Sequence, residues 1–240
     1  MLAPETSTPF DQPTPATAAT DNNFALQMDK VGHHFLSGDR KVQLFENLSL
    51  TIESGQSVAI TGPSGAGKSS LLALLAGLEQ PTQGAIHCFQ GERHLSINDL
   101  RKVSGFIFQQ FHLLPELTAL GNLMLPLRLR GQKGAESLAM DWLNRVGLAS
   151  RSDHMPSQLS GGEQQRVAIA RAFIRQPKFI FADEPTGNLD ETTSNAITEL
   201  MFGCAQQSKS ALILVTHSHQ LAAQADRWFG LSGGTLVERS

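Results

Sequence analysis

The run Gly62-Pro63-Ser64-Gly65-Ala66-Gly67-Lys68-Ser69 gathers three glycines, an amine and two hydroxyls into eight consecutive positions. Glycines at 62, 65 and 67 let backbone N–H groups turn into one concavity and approach phosphate oxygens closely. A helix opening near Lys68 adds the positive end of its dipole. In that arrangement Lys68 reaches the β- and γ-phosphates of a nucleoside triphosphate and Ser69 offers its hydroxyl to Mg²⁺. Pro63, Ser64, Ala66 and the following Ser70 complete the cradle. Asp183 and Glu184 stand side by side after the apolar run 179–182 and are stopped by Pro185. Two bare carboxylates at the end of a buried strand are costly unless a cation offsets them, and a Mg²⁺ held with the phosphates is such a cation. Asp183 then serves the metal, and Glu184 orients and polarises the attacking water. In isolation the same tripeptide reads as a solvated turn. His217 ends a second apolar run, 211–215, so both runs deliver polar residues to the crevice where open α/β sheets bind ligands.

The segment Leu159-Ser160-Gly161-Gly162-Glu163-Gln164 has the Ser-x-x-Glu spacing of a capping box, opening a helix that carries Val167, Ala170 and Ile174. Capping accounts for two residues only. Glycine in a helix costs up to about 1 kcal/mol relative to alanine, so capping does not motivate Gly161 and Gly162. Close approach of bare N–H groups to an anion does, which makes this a second phosphate-binding helix start. A nucleotide cradled by the Lys68 loop leaves only its outer face free, so a second such site implies a sandwich.

These residues need a scaffold that brings strand ends together. Residues 57–61 read as a short strand running into the glycine loop, with a helix from Ser69 to Ala76 ended by Gly77. Residues 179–182 and 211–215 are near-continuous apolar runs of the kind buried on both faces in a parallel sheet. Leu26 and Met28, then Leu48, Leu50 and Ile52 after the Gly38-Asp39 turn signal, alternate as in a half-buried antiparallel layer. Helical periodicity dominates about residues 95–175, read as a helical lobe inserted into an α/β core. Ser232-Gly233-Gly234 reads as a hairpin turn. Residues 1–23, rich in Pro, Thr and Ala, read as a disordered tail without the basic and apolar regions of a secretory signal.

The bulk numbers agree with a globular protein. The chain has 240 residues, 40% hydrophobic and 17% charged, with a formal net charge of -3 that advertises no nucleic-acid partner. Cys88 and Cys204 lie in no metal-ligand spacing, and no apolar stretch approaches the ~18 residues of a membrane-spanning helix.

The 62–69 loop, the 159–163 segment, the 179–184 strand and Thr216-His217 stand in the order found in the nucleotide-binding domains of ABC transporters, and the resemblance spans about residues 24–240. It implies a P-loop core with a parallel sheet, an N-terminal antiparallel β layer and an inserted α-helical lobe. It also implies ATP and Mg²⁺ as ligands, and a head-to-tail dimer in which Ser160, Gly161, Gly162 and Glu163 of one protomer close over the ATP held by the other. By the same resemblance Gln109 links Mg²⁺ and γ-phosphate to the lobe, Asp190 belongs to the loop facing the partner, and His217 contacts the γ-phosphate. The adenine-stacking aromatic falls to Phe35, in a chain with no Tyr. Residues 111–118 and 182–190 look most like the lipoprotein-release and macrolide-export group, with 153–156 and 221–223 closer to an uncharacterised bacterial branch of it. That likeness implies a peripheral ATPase on the cytoplasmic face of the inner membrane, seating the coupling helix of a separate permease at about residues 111–118. Export, lipoprotein release and cell-envelope mechanotransmission are the roles implied. A soluble ABC protein of DNA repair or translation is the alternative, although the chain has neither a coiled-coil insertion nor a second cassette.

Overall fold

A computed structural model describes residues 23–38 and 40–239. The tail read over residues 1–23 therefore falls, but for Asn23, outside the described residues, as does Asp39 of the turn signal.

The alternating segments form a long antiparallel pair, β1 (Phe24–Ser37) and β2 (Arg40–Glu53). The core follows with β3 (Ser57–Thr61) and α1 (Lys68–Leu75). Next come β4 (Gln83–Gln90) and β5 (Arg93–Leu95), which complete a four-stranded sheet in the order β2-β1-β4-β5. After α2 (Ile97–Lys102) and β6 (Ser104–Phe108) stand three helices, α3 (Ala119–Arg128), α4 (Ala135–Arg145) and α5 (Gly161–Phe173). The chain then returns through β7 (Phe179–Asp183), α6 (Glu191–Ser208), β8 (Ala211–Thr216), α7 (His219–Ala222), β9 (Arg227–Ser232) and β10 (Thr235–Arg239). The second sheet has the order β10-β9-β3-β8-β7-β6, parallel except for the β9–β10 hairpin. That hairpin turns on Gly233 and Gly234, at φ 56° and 77°, the two left-handed residues that a type I′ turn requires.

The apolar runs work as their composition demands, because a strand buried on both faces has no polar side. Phe179, Phe181, Ile213 and Val215 pack with α1 and the antiparallel layer, while Ile180, Ala182, Leu212 and Leu214 pack toward α5 and α6. A third core joins α3 and α4 to the side of α5 that carries Val167, Ala170 and Ile174. Helix α5 thus contributes to two cores at once, with Ile169 and Phe173 on the sheet side.

One boundary differs from the sequence reading. The range 95–175 contains β6, which pairs with β7 throughout its length and belongs to the parallel sheet. Five residues of mixed exposure, Ser104–Phe108, are too short to stand out against the helical periodicity around them. We place the lobe proper at about residues 111–160, with α5 as its seam to the core.

Candidate nucleotide-binding site

The three strands β3, β7 and β8 end at the same edge of the sheet, and their pairing partners are Thr61 with Thr216 and Asp183 with Val215. The glycine loop is built for backbone approach. A Cβ at Gly62 would lie 2.3 Å from the Leu231 carbonyl oxygen, and Gly65 and Gly67 hold φ 78° and 91°. Helix α1 opens at Lys68 with no side-chain cap, leaving its first N–H groups to whatever the loop binds.

Lys68 is buried, and its ammonium donates to the carbonyls of Gly62 and Pro63 at 3.0 and 3.1 Å, with His217 Nε2 at 3.2 Å. Burial lowers its pKa, and the Glu184 and Asp183 carboxylates oppose that shift. Ser69 Oγ donates to Asp183 Oδ1 at 3.1 Å. Neighbouring ligands of an octahedral ion with 2.0–2.1 Å bonds stand about 3 Å apart, so this pair of hard oxygens suits Mg²⁺.

Glu184 occupies the left-handed region at φ 44°, with its N–H donated to the Val215 carbonyl at 3.0 Å. The kink turns its carboxylate toward β8, where Oε2 accepts from His217 N at 3.1 Å. Oε1 is buried with no hydrogen-bond donor, although His217 Nε2 lies 3.3 Å away. A single ring nitrogen cannot accept from Lys68 and donate to Glu184 at once, so the two contacts belong to different tautomers.

Gln109, one residue past β6, donates its amide to Asn188 Oδ1 at 3.0 Å, and Asn188 Nδ2 donates back to the Gln109 carbonyl at 3.1 Å. A Cβ at Gly187 would stand 2.9 Å from Gln109 Nε2. Gln109, Glu184, Gly187, Thr216 and His217 line a common cleft of about 600 Å³.

The other sequence candidates stand apart from this cluster. Ser160 and Glu163 form the expected capping box, Ser160 Oγ accepting from Glu163 N at 3.2 Å and Glu163 Oε2 from Ser160 N at 2.8 Å. The Ser160 backbone N–H leads the causes that hold the Glu163 carboxyl below its ordinary value. The atoms nearest to a Cβ on Gly161 or Gly162 belong to Leu189, Phe111 and Thr193, none of them in the 62–69 loop. Thr193 Cγ2 would lie 2.5 Å from a Gly162 Cβ, so the packing of α5 on α6 alone already demands this glycine. This packing is a reason for glycine that the sequence does not show, beside the anion that it suggests. Asp190 caps α6, accepting from Thr193 N at 3.0 Å and Thr193 Oγ1 at 2.6 Å. Phe35, 47% exposed, pairs across β1–β2 with Val42, which lines a groove together with Gly65 and Ala66. Ser64 is exposed at the loop tip, and Ser70 lies on the side of α1 with Phe106 and Phe108.

Three further polar residues support this arrangement, each with little signal of its own in the sequence. Asn188 holds Gln109, and its only signal was its place between Gly187 and Asp190. Gln165, fully buried, donates to the Pro185 carbonyl at 2.7 Å and ties α5 to the turn after Glu184. Asn122, also fully buried, accepts from Leu114 N and donates to the carbonyls of Leu114, Leu117 and Thr118, which shapes the 114–118 segment. A lone amide in an apolar helix gives no sequence signal of such a role.

Glycine cradle, buried lysine, serine–aspartate pair and kinked glutamate at the ends of parallel strands define a P-loop nucleoside triphosphatase. Residues 45–187 match the family described as ABC transporter. The lipoprotein-releasing system ATP-binding protein LolD of Legionella pneumophila strain Paris is 43% identical over 226 residues, covering 91% of this chain and 99% of the relative. An uncharacterized ABC transporter ATP-binding protein of Escherichia coli K12, YbbA, is 44% identical over 210 residues, covering 85% and 92%. Among solved structures, the dimeric post-hydrolysis cassette MJ0796 bound to ADP and Pi superposes with a TM-score of 0.77 at 33% identity, covering 90% of this chain and 99% of that one. The chain belongs to the ABC transporter family as an ATP-binding subunit, and it is an ATPase.

Proposed function

We propose that this ATPase drives a separate membrane permease in lipoprotein release or a related export or envelope process, working as a head-to-tail homodimer. The relatives named for lipoprotein release, matched over nine-tenths of the chain, support the role, and the dimeric cassette supports the assembly. The subunit works peripherally at the cytoplasmic face of the permease's membrane; among the described residues no helix is long and apolar enough to cross a membrane.

The observation that carries the chemistry is the orphaned Glu184 Oε1 beside His217, whose Nε2 also meets the Lys68 ammonium. In this reading Lys68 leaves the Gly62 and Pro63 carbonyls for β- and γ-phosphate oxygens of ATP, and the loop N–H groups take the remaining phosphate charge. Ser69 and Asp183 hold Mg²⁺, which when bound neutralises charge on the phosphates. Glu184 orients water through the free oxygen and accepts its proton as the water oxygen attacks the γ-phosphorus. The bond to the β–γ bridging oxygen breaks, leaving ADP and phosphate. His217, released from Lys68, can take the Nε2–H tautomer and donate to a γ-phosphate oxygen. Gln109 reports the occupied site to the lobe, and Phe35 offers its exposed ring to adenine. Ser160, Gly161, Gly162 and Glu163 close over the nucleotide of the partner subunit, with Asp190 facing it. Leu114, Pro115 and Glu116, exposed on the segment braced by Asn122, form the seat for a permease coupling helix.

Glu184→Gln tests this reading. Removing a general base costs about 10²–10⁴-fold, so turnover should fall at least 100-fold while ATP stays bound and light scattering reports a dimer. Turnover like that of the unaltered chain would remove Glu184 from this role. Copurification from detergent-solubilised membranes should bring down an integral membrane protein, whereas ribosome or DNA association would reverse the reading.

A further inference from the structure

Directly after Gln109 the backbone does something unfavourable. Phe111 and His112 both hold left-handed φ values, 59° and 47°, and neither is glycine. Two successive L-residues in that region are disfavoured by clashes of Cβ with the carbonyl, and they persist only where the surroundings over-determine them. The reversal is closed by Phe111 N donating to the Phe108 carbonyl at 3.2 Å and His112 N to the Gln110 carbonyl at 2.5 Å. The His112 ring stacks on Phe108 with centroids 4.6 Å apart and planes at 20°.

What over-determines the turn comes from α5. Arg171 Nη1 donates to the His112 carbonyl at 2.7 Å and Nη2 to the Phe111 carbonyl at 2.9 Å, so one planar fork grips both left-handed residues. Among the described residues no ion pair engages this guanidinium. Its charge is spent on two neutral carbonyls, an arrangement that fixes geometry and balances no carboxylate. Phe111 reaches in the other direction, Cζ lying 3.7 Å from the position of a Gly161 Cβ. The loop that starts at Gln109 is therefore attached to α5 both through Arg171 and at the tip bearing Ser160–Glu163.

We propose that Arg171 is a positioning residue, whose guanidinium locks the strained Phe111–His112 turn onto α5 and so makes Gln109 and the Ser160–Glu163 tip move as one body. The proposal rests on the reading of Gln109 as the group that reports the occupied nucleotide site. An occupied site that shifts Gln109 then aims the tip at the partner subunit's nucleotide.

A double-mutant cycle on the full chain tests it, because glycine at 112 takes the left-handed conformation without strain and so relieves one of the two residues that the lock holds. Arg171→Gln in the unaltered chain should lower kcat about tenfold while the KM for ATP changes less than about twofold, since Arg171 touches no nucleotide. In a His112→Gly background the same substitution should cost only about threefold relative to that background, since Phe111 keeps its share of the strain. An equal loss in both backgrounds, or no loss in the first, overturns the proposal. Where Arg171→Gln is too unstable to assay, the cycle is read on thermal midpoints instead, with the drop expected to shrink in the His112→Gly background and an unchanged drop overturning the proposal. Gln109→Ala is measured alongside. Turnover like that of the unaltered chain in this variant would fail the underlying reading of Gln109, while a flat cycle with an impaired Gln109→Ala fails the role of Arg171 alone.

Discussion

Lys68 shows how little of a charged group's behaviour lies in its identity. The ammonium has three donors, and all three are engaged by the loop's carbonyls and His217. Phosphate oxygens have only to outcompete these weak neutral partners, and burial, which disfavours the lone charge, increases the gain from meeting an anion. Lys68→Ala should weaken ATP affinity by more than about tenfold, as expected for a lost charge-assisted contact, read by titration with a fluorescent nucleotide. Unchanged affinity would count against the cradle. Lysine, serine and paired acids were legible because their chemistry needs those side chains at that spacing. The φ of Glu184 was not, since a left-handed glutamate carries no compositional mark and depends on the bond from its N–H to Val215 on another strand.

Helix α5 is the element that joins the loops of the site to two of the cores. Its start is a capping box, its two faces serve two cores, and Gln165 and Arg171 reach the loops after Glu184 and Gln109. Gly162 meets one demand seen in the packing, the close approach of Thr193, and in the proposed function a second, bare N–H groups for an anion. They can be separated by substitution. Gly162→Ala should destabilise by about 1–3 kcal/mol through overpacking, measured by urea denaturation. Thr193→Ser removes the clashing methyl while keeping the hydroxyl that bonds Asp190, so the double variant should regain stability. Its ATPase should stay impaired if the backbone at 162 also approaches the partner's nucleotide. Recovery of both together would reduce Gly162 to packing.

At the scale of the whole molecule, the site is an edge of one sheet. Phe181 is almost fully buried and its ring stacks with Phe106 and Phe179 at centroid distances of 5.6 and 6.4 Å, two residues from Asp183. Phe181→Ala should cost about 3–5 kcal/mol in denaturant unfolding. In the fraction that folds it should also raise the Mg²⁺ concentration needed for half-maximal turnover, because β7 positions Asp183. Dimer formation belongs to this scale too. The atoms nearest to Gly161 and Gly162 come from Leu189, Phe111 and Thr193 and not from the 62–69 loop, so in the proposed function a second chain completes the site, and the Glu184→Gln light-scattering measurement reads that requirement directly.

The sequence alone determined the strands that end in the candidate site, the glycine loop and the capped helix start. Each is a local pattern: apolar runs without a polar side, glycines where Cβ would clash, and a serine three residues before a glutamate. It could not delimit the lobe, because β6 is only five residues long and gains its strand character from pairing with β7. Nor could it show that Asn188 holds Gln109 or that Arg171 grips a strained turn 59 and 60 residues away. Those contacts join segments far apart in the chain, and only the tertiary packing that brings α5 against the end of β6 decides which donor meets which carbonyl.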